Sequence, residues 1–173
     1  MQFQMKSTIQ SILLVACVAT TMLLCTGCPV GLEYPLGDAG KEKIDKRLLG
    51  TWVVQTADAE MKKLTVTKKD DHTYRVQVLE RGEMYAMETD WFDAWVTKFE
   101  GQTFVIGKPD DENDQKYYHY QYAIEDGKLV THDMSLLEGG MDAVTSQEAL
   151  RSEVKASMKK PDFLSSKQEY TKQ

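Results

Sequence analysis

Downstream of residue 28 the sequence contains no cysteine; the three it has are Cys17, Cys25 and Cys28. Disulfide bonds, thiol catalysis and cysteine-bound metal are therefore excluded from anything the following residues build. Basic charge is not in excess either: 21 Lys+Arg face 27 Asp+Glu, for a net charge of −6. Nucleic-acid recognition needs a basic footprint and docking on anionic lipid needs a basic face, so neither class fits. No apolar run reaches the roughly 20 residues of a membrane-crossing helix. There is no nucleophile elbow, His-Glu-x-x-His pair or phosphate-binding glycine loop. No catalytic residue is nominated, and the chain is read as a non-enzyme.

What stands at the start is a leader. Met1 to Gln10 is polar with Lys6 as its one charge, and the apolar stretch Ile12 to Leu24 has the length of a signal-peptide core. It runs into Leu24-Cys25-Thr26-Gly27-Cys28. This resembles the lipobox of bacterial lipoproteins, in which small residues precede the cysteine that is acylated. Thr26 and Gly27 fit that pattern, whereas Cys25 stands where Leu is usual. The resemblance implies export, cleavage before Cys28 and covalent lipid on Cys28 as an anchor in the bacterial cell envelope. With about 0.8 kcal/mol gained per buried CH₂, two or more acyl chains make such an anchor stable. Pro29, in place of the Asp that marks inner-membrane retention in this class, points to the outer membrane. No cofactor beyond that lipid is implied.

Residues 1–27 are thus expected to be signal peptide, 28–46 the lipidated cysteine with a flexible tether, and 47–173 one folded domain. The tether reading rests on Pro29 to Gly40, where two Pro and three Gly interrupt any periodicity. Ile44, Leu48 and Leu49 at helical spacing predict a short helix over Lys41 to Leu49.

The period then changes to two. Trp52 to Val54, Leu64 and Val66, and Tyr74, Val76 and Val78 mark half-buried antiparallel strands, separated by turns at Asp70-Asp71 and Arg81-Gly82-Glu83. From Met84 to Phe99 the pattern is double: Trp91, Trp95 and Phe99 fit a helix, but a long bent strand leads better into the turn at Glu100-Gly101. Lys116 to Glu125 alternates most cleanly, with Tyr118, Tyr120 and Tyr122 on one face, and Asp126-Gly127 is a type I′ turn signal. Thr145 and Glu148 suggest a capping box for a helix carrying Leu150, Val154 and Met158, stopped by Pro161. A last strand follows over Lys167 to Thr171. The predicted fold is mainly β, an antiparallel up-and-down meander. It closes into a barrel, with a short N-terminal helix and one helix before the last strand.

Leu48-Leu49-Gly50-Thr51-Trp52 resembles the opening of the lipocalins, a short helix followed by Gly-x-Trp on the first strand. That resemblance gives Gly50 and Trp52 a structural role, with Trp52 closing the narrow end of a lipocalin-like barrel. Two departures stand out. The family's Thr-Asp-x-x-Tyr motif survives only as Thr89-Asp90-Trp91-Phe92, and its late Arg beside the first Trp has no counterpart, because Arg151 falls in the predicted helix. The whole chain also resembles small calycin-like lipoproteins of bacterial envelopes.

The aromatic set Tyr74, Trp91, Trp95, Tyr118, Tyr120 and Tyr122 is the candidate ligand-binding lining. A tyrosine offers an apolar body and a polar tip, which suits an amphiphile. The same side chains can equally fill a small barrel solid. His119 and His132, nearly equidistant from Asp126-Gly127, are possible cross-strand neighbours, but neither they nor His72 have metal-ligand spacing. Met84, Met87, Met134 and Met141 are read as core filler rather than a copper site. Asp110, Glu112 and Asp114 alternate like a calcium loop, but Gln115 and Gln121 occupy the places where that loop needs Gly and Glu. No metal site is assigned.

Two functions remain open. One is a membrane-anchored binding module for a small apolar or amphiphilic molecule. The other is an envelope protein–protein interaction or assembly factor with a filled barrel.

Overall fold

The computed structural model describes residues 31–55, 61–81, 88–136 and 138–173. The leader, Cys28, Met84 and Met87 lie outside these residues, and with them the expected cleavage and acylation. Eight strands follow in order: β1 (Gly50–Gln55), β2 (Met61–Lys68), β3 (Tyr74–Arg81), β4 (Glu88–Phe99), β5 (Gln102–Pro109), β6 (Tyr118–Glu125), β7 (Lys128–Met134) and β8 (Leu164–Lys172). Each pairs antiparallel with the next and β8 returns to β1, so the meander closes into a barrel. Among the described residues one α-helix, α1 (Gln147–Ser157), precedes the last strand.

Turn chemistry explains the tight hairpins. Glu100 and Gly101 have φ of 47° and 79°, and Asp126 and Gly127 have 49° and 77°. Two left-handed residues in succession give the type I′ turn, whose twist matches the flanking strands. The double pattern before Phe99 resolves as strand: β4 is paired along its length with β3 and β5. The closing seam is the shortest ladder, with only Trp52↔Lys172 and Val53↔Thr171 in register.

The molecule has two cores, one on each side of the barrel wall. Inside, Leu48, Trp52, Val66, Tyr74, Tyr122 and Leu129 pack at one end. Outside, Leu150 and Val154 of α1 pack on Trp95, Phe99, Phe104 and Ile106. Strand β5 shows the division residue by residue. Phe104 and Ile106 join the outer core, whereas Val105 packs against the inner one.

Three local expectations are corrected. The helix expected over Lys41 to Leu49 is a single 3-10 turn, Lys46–Leu48, capped by Asp45. Ser146, not Thr145, caps α1: its hydroxyl accepts the Ala149 N–H at 3.1 Å. This puts Ala149 at the position where a capping box needs Glu or Gln. The segment from Gly31 to Gly40, expected as free tether, lies along the outer wall between β4–β6 and α1. Leu32 and Leu36 are buried in the outer core. The backbone of the segment is tied down by Leu32 to Tyr117 (2.9 and 2.7 Å), Arg151 Nη1 to Leu36 O (2.7 Å) and Trp95 Nε1 to Gly37 O (2.7 Å). A Cβ on Gly37 would stand 2.6 Å from Thr97 Cγ2, so glycine is what lets this strap lie so close.

Candidate ligand cavity

The floor of the barrel is sealed by the residues around Trp52. Its indole N–H donates to Leu48 O at 2.7 Å, which joins the 3-10 turn to the first strand. Lys172 crosses above the indole, with Nζ 5.0 Å from the ring centroid and donating to Arg47 O at 3.3 Å. Gly50 makes room for this lysine: its φ is 127°, and a Cβ there would meet Lys172 Cε at 2.8 Å. Asp45 ties the turn to the wall by accepting the hydroxyl of Tyr122 at 3.3 Å on its carboxylate and that of Tyr74 at 3.2 Å on its carbonyl. The Arg47 guanidinium, hydrogen-bonded to the Asp45 carboxyl, holds it below the usual carboxylate range. Burial pushes the Tyr74 phenol up to about 12 and raises that of Tyr122 as well, so both are neutral donors at physiological pH.

Above this floor the barrel is hollow, with a cavity of about 830 Å³. That lies within the range of small-molecule sites, roughly 300–1,000 Å³. The middle of the wall is apolar, built from Val54, Leu64, Val76, Val78, Phe92 and Val105. Period-two alternation puts them there: every second residue of each strand faces the same side of the wall.

Polarity rises toward the opposite end. Lys62 and Glu80 both line the cavity and form an ion pair of 2.5 Å. Asp90, Asp110, Asp111 and Asp114 complete the rim, so Lys62 is one cation among five carboxylates. Asp114 accepts the Tyr118 hydroxyl at 2.7 Å, which pushes that phenol up to about 12. Asp110 is held from outside the wall by Arg75, which also reaches Asp93 at 3.2 Å. Tyr120 projects from β6 between Tyr118 and Tyr122, and burial raises its pKa. Among the described residues its hydroxyl makes no hydrogen bond, which leaves a polar handle facing the cavity.

The six aromatics proposed from sequence separate into three groups. Tyr74, Tyr118, Tyr120 and Tyr122 line the cavity. Trp91 stands at its rim and 42% exposed, with its ring 5.1 Å from the Arg75 guanidinium. Trp95 is outside the barrel and does not line the cavity: it is buried in the outer core, edge-on to Tyr117 at 6.0 Å. The two residues given a structural role, Gly50 and Trp52, are both at the floor.

The register sets His132 opposite Gln121, whose Oε1 lies 3.1 Å from His132 Nδ1, so His119 and His132 are not cross-strand partners. His119 is instead buried beneath the strap, its Nε2 accepting the Leu36 N–H at 3.0 Å. Desolvation pushes it down to about 4, so it is neutral at pH 7. His72 Nδ1 lies 2.9 Å from Glu42 O. Met134 packs against the outer core, whereas Met141 is 49% exposed.

Lys62, Glu80, Lys172 and Asp45 were missed as site residues. Alternation gives a signal for the first two, since Lys62, Leu64 and Val66 share a face, as do Glu80, Val78 and Val76. Nothing local marks Asp45. Comparisons with protein-family models, with curated proteins and with solved structures gave no match to this chain.

Proposed function

We propose that this protein is a lipid-anchored binding module of the bacterial envelope, carrying a small apolar or amphiphilic molecule in its barrel. The observation that supports this reading best is the 830 Å³ cavity, sealed at one end, apolar along the wall and polar at the mouth. A ligand with a hydrocarbon body would displace water from the valines and leucines, at roughly 25 cal/mol per Å² of apolar surface buried. Its polar end would meet Tyr120, Lys62 and Glu80. The anchor rests on the lipobox-like run ending at Cys28. The resemblance to the lipocalins draws support from the floor as well as from Gly50 and Trp52: Lys172 on the last strand lies over the Trp52 ring, much as the family's late arginine lies beside its first tryptophan. The role is read as binding rather than catalysis, and the outer membrane as its location.

A second reading, contact with another envelope protein through the outer surface, draws support from the exposed Trp91 at the rim. Mass spectrometry of the protein gently extracted from its native membrane separates the two. An extra mass retained under native conditions and lost on denaturation is expected for a carrier. The acylated chain alone, together with a co-purifying protein, would favour the interaction reading.

A further inference from the structure

The strap begins at the open end of the barrel. Leu32 forms its two backbone hydrogen bonds with Tyr117, the residue before β6, at 2.9 and 2.7 Å. Gly31 lies against the same stretch of wall: a Cβ built on it would lie 2.8 Å from Lys116 Cβ and 3.2 Å from Cζ of Tyr118, whose ring lines the cavity. From there the strap descends the outer wall to Asp45 at the sealed floor. It cannot swing away as a unit, because Arg151, Trp95, His119 and Gln147 each hold its backbone by a hydrogen bond.

Cys28 precedes Gly31 by three residues. Three residues of fully extended chain span about 10–11 Å. The chain therefore limits the cysteine to about that distance from Gly31, whatever conformation the intervening residues take. The sealed floor is a strand length away: β6 alone, Tyr118–Glu125, runs from mouth to floor, about 25 Å at 3.3 Å per residue. The attachment point of a lipid on Cys28 is thus tied to the mouth end of the barrel rather than to the floor. The exposed indole of Trp91 is at the same end, and Trp91 O accepts the N–H of the rim residue Asp110 at 2.8 Å. Tryptophan is favoured where one side is apolar and the other wet, as at a membrane–water boundary.

We propose that the acylated Cys28 holds the barrel mouth-down on its membrane, and that the cavity takes up and releases its ligand directly at that bilayer surface. The partner surface is the lipid of the anchoring leaflet. The inference rests on the lipidation of Cys28 and on the cavity being a binding site. The rim carboxylates add a condition. Next to anionic lipid they are repelled over about a Debye length, so docking and exchange are faster on zwitterionic than on anionic vesicles, and salt narrows the gap.

The test uses the full acylated protein in phosphatidylcholine vesicles that carry headgroup spin-labelled lipid. A bimane is attached to Asp111→Cys at the mouth or to Glu125→Cys at the floor end. Quenching several-fold stronger at 111 than at 125 is expected. Equal quenching, or stronger quenching at 125, overturns the orientation. Loss of palmitate labelling in Cys28→Ser, with the leader left uncut, checks the anchor separately, and normal labelling in that variant removes the premise. A Gly/Ser spacer inserted between Val30 and Gly31 is expected to slow transfer of a dansylated fatty acid from vesicle to barrel. Transfer unaffected by the spacer would mean that ligand arrives through water. A probe excluded from the wild type but accepted by Cys28→Ser would place the anchor's own acyl chain in the cavity. Either result overturns direct exchange.

Discussion

The two ends of the barrel are built from opposite materials. At the floor, large side chains are fully packed and their polar atoms are paired with one another: Trp52 with Leu48 O, Tyr74 and Tyr122 with Asp45, Lys172 with Arg47 O. At the mouth, the tyrosines border open space, the carboxylates outnumber the cations and the Tyr120 hydroxyl has no described partner. A closed network satisfies itself and adds stability. An open one keeps hydrogen-bonding capacity for something that is not part of the chain. On the proposed function, stability and binding are divided along the barrel axis, and the strap on the outer wall links the two ends.

The largest effect is expected at the floor. Trp52→Ala removes a buried indole, its hydrogen bond and the surface on which Lys172 rests, and should cost about 3–5 kcal/mol in denaturant unfolding. A variant with near wild-type stability would mean that the floor is not what holds the barrel shut.

An intermediate effect is expected at the strap. Folded His119 titrates near 4, against 6.5 for a free histidine. Between those pH values the unfolded chain binds a proton that the folded chain refuses. Stability therefore falls as pH drops below 6.5 and goes on falling toward 4. From pH 7 to 5 the loss amounts to about 2 kcal/mol at most, at 1.36 kcal/mol per pH unit. His119→Gln should flatten this part of the pH profile measured by thermal melting. If the slope is unchanged, the histidine is not buried as described.

The smallest change in stability belongs to the mouth. Lys62 and Glu80 are both partly exposed, and Lys62→Gln should shift unfolding by less than about 1 kcal/mol. The same change should weaken binding of a carboxylate-headed amphiphile roughly tenfold relative to its neutral alcohol analogue, since about 1.4 kcal/mol corresponds to a factor of ten. Equal losses for both probes would show that Lys62 does not meet the head group.

The strands were legible because turn residues and period-two alternation agree. Asp126-Gly127 set the β6–β7 hairpin, and Tyr118, Tyr120 and Tyr122 were placed on one face by spacing alone. Which face lies inside was not legible for β4. Trp91, Trp95 and Phe99 share a side, and aromatic character suggested the cavity, whereas Ala94 and Val96 are the residues that point inward. Strands covered on both faces lose the polar-out signature that tells inside from outside. The unbroken Phe104-Val105-Ile106 was the hint that an outer core exists.

The strap escaped for a different reason. Its hold on the barrel comes from two leucines and from hydrogen bonds to its backbone, and backbone bonds leave no mark in a sequence. Pro and Gly there suggested freedom, yet Gly37 serves close approach to Thr97. Lys172 is not legible either, because it meets Trp52 only when β8 closes against β1.

If the hollow interior binds a ligand, a side chain that fills the interior must displace it. Val78 faces the cavity from the middle of β3. A dansylated fatty acid is titrated into the wild type and into Val78→Trp, and the melting temperatures of both are recorded alongside. Saturable binding is expected, one probe per barrel, weakened by roughly tenfold or more in the variant while the fold still melts cooperatively. Equal binding by both proteins, or none by either, would contradict binding in the interior.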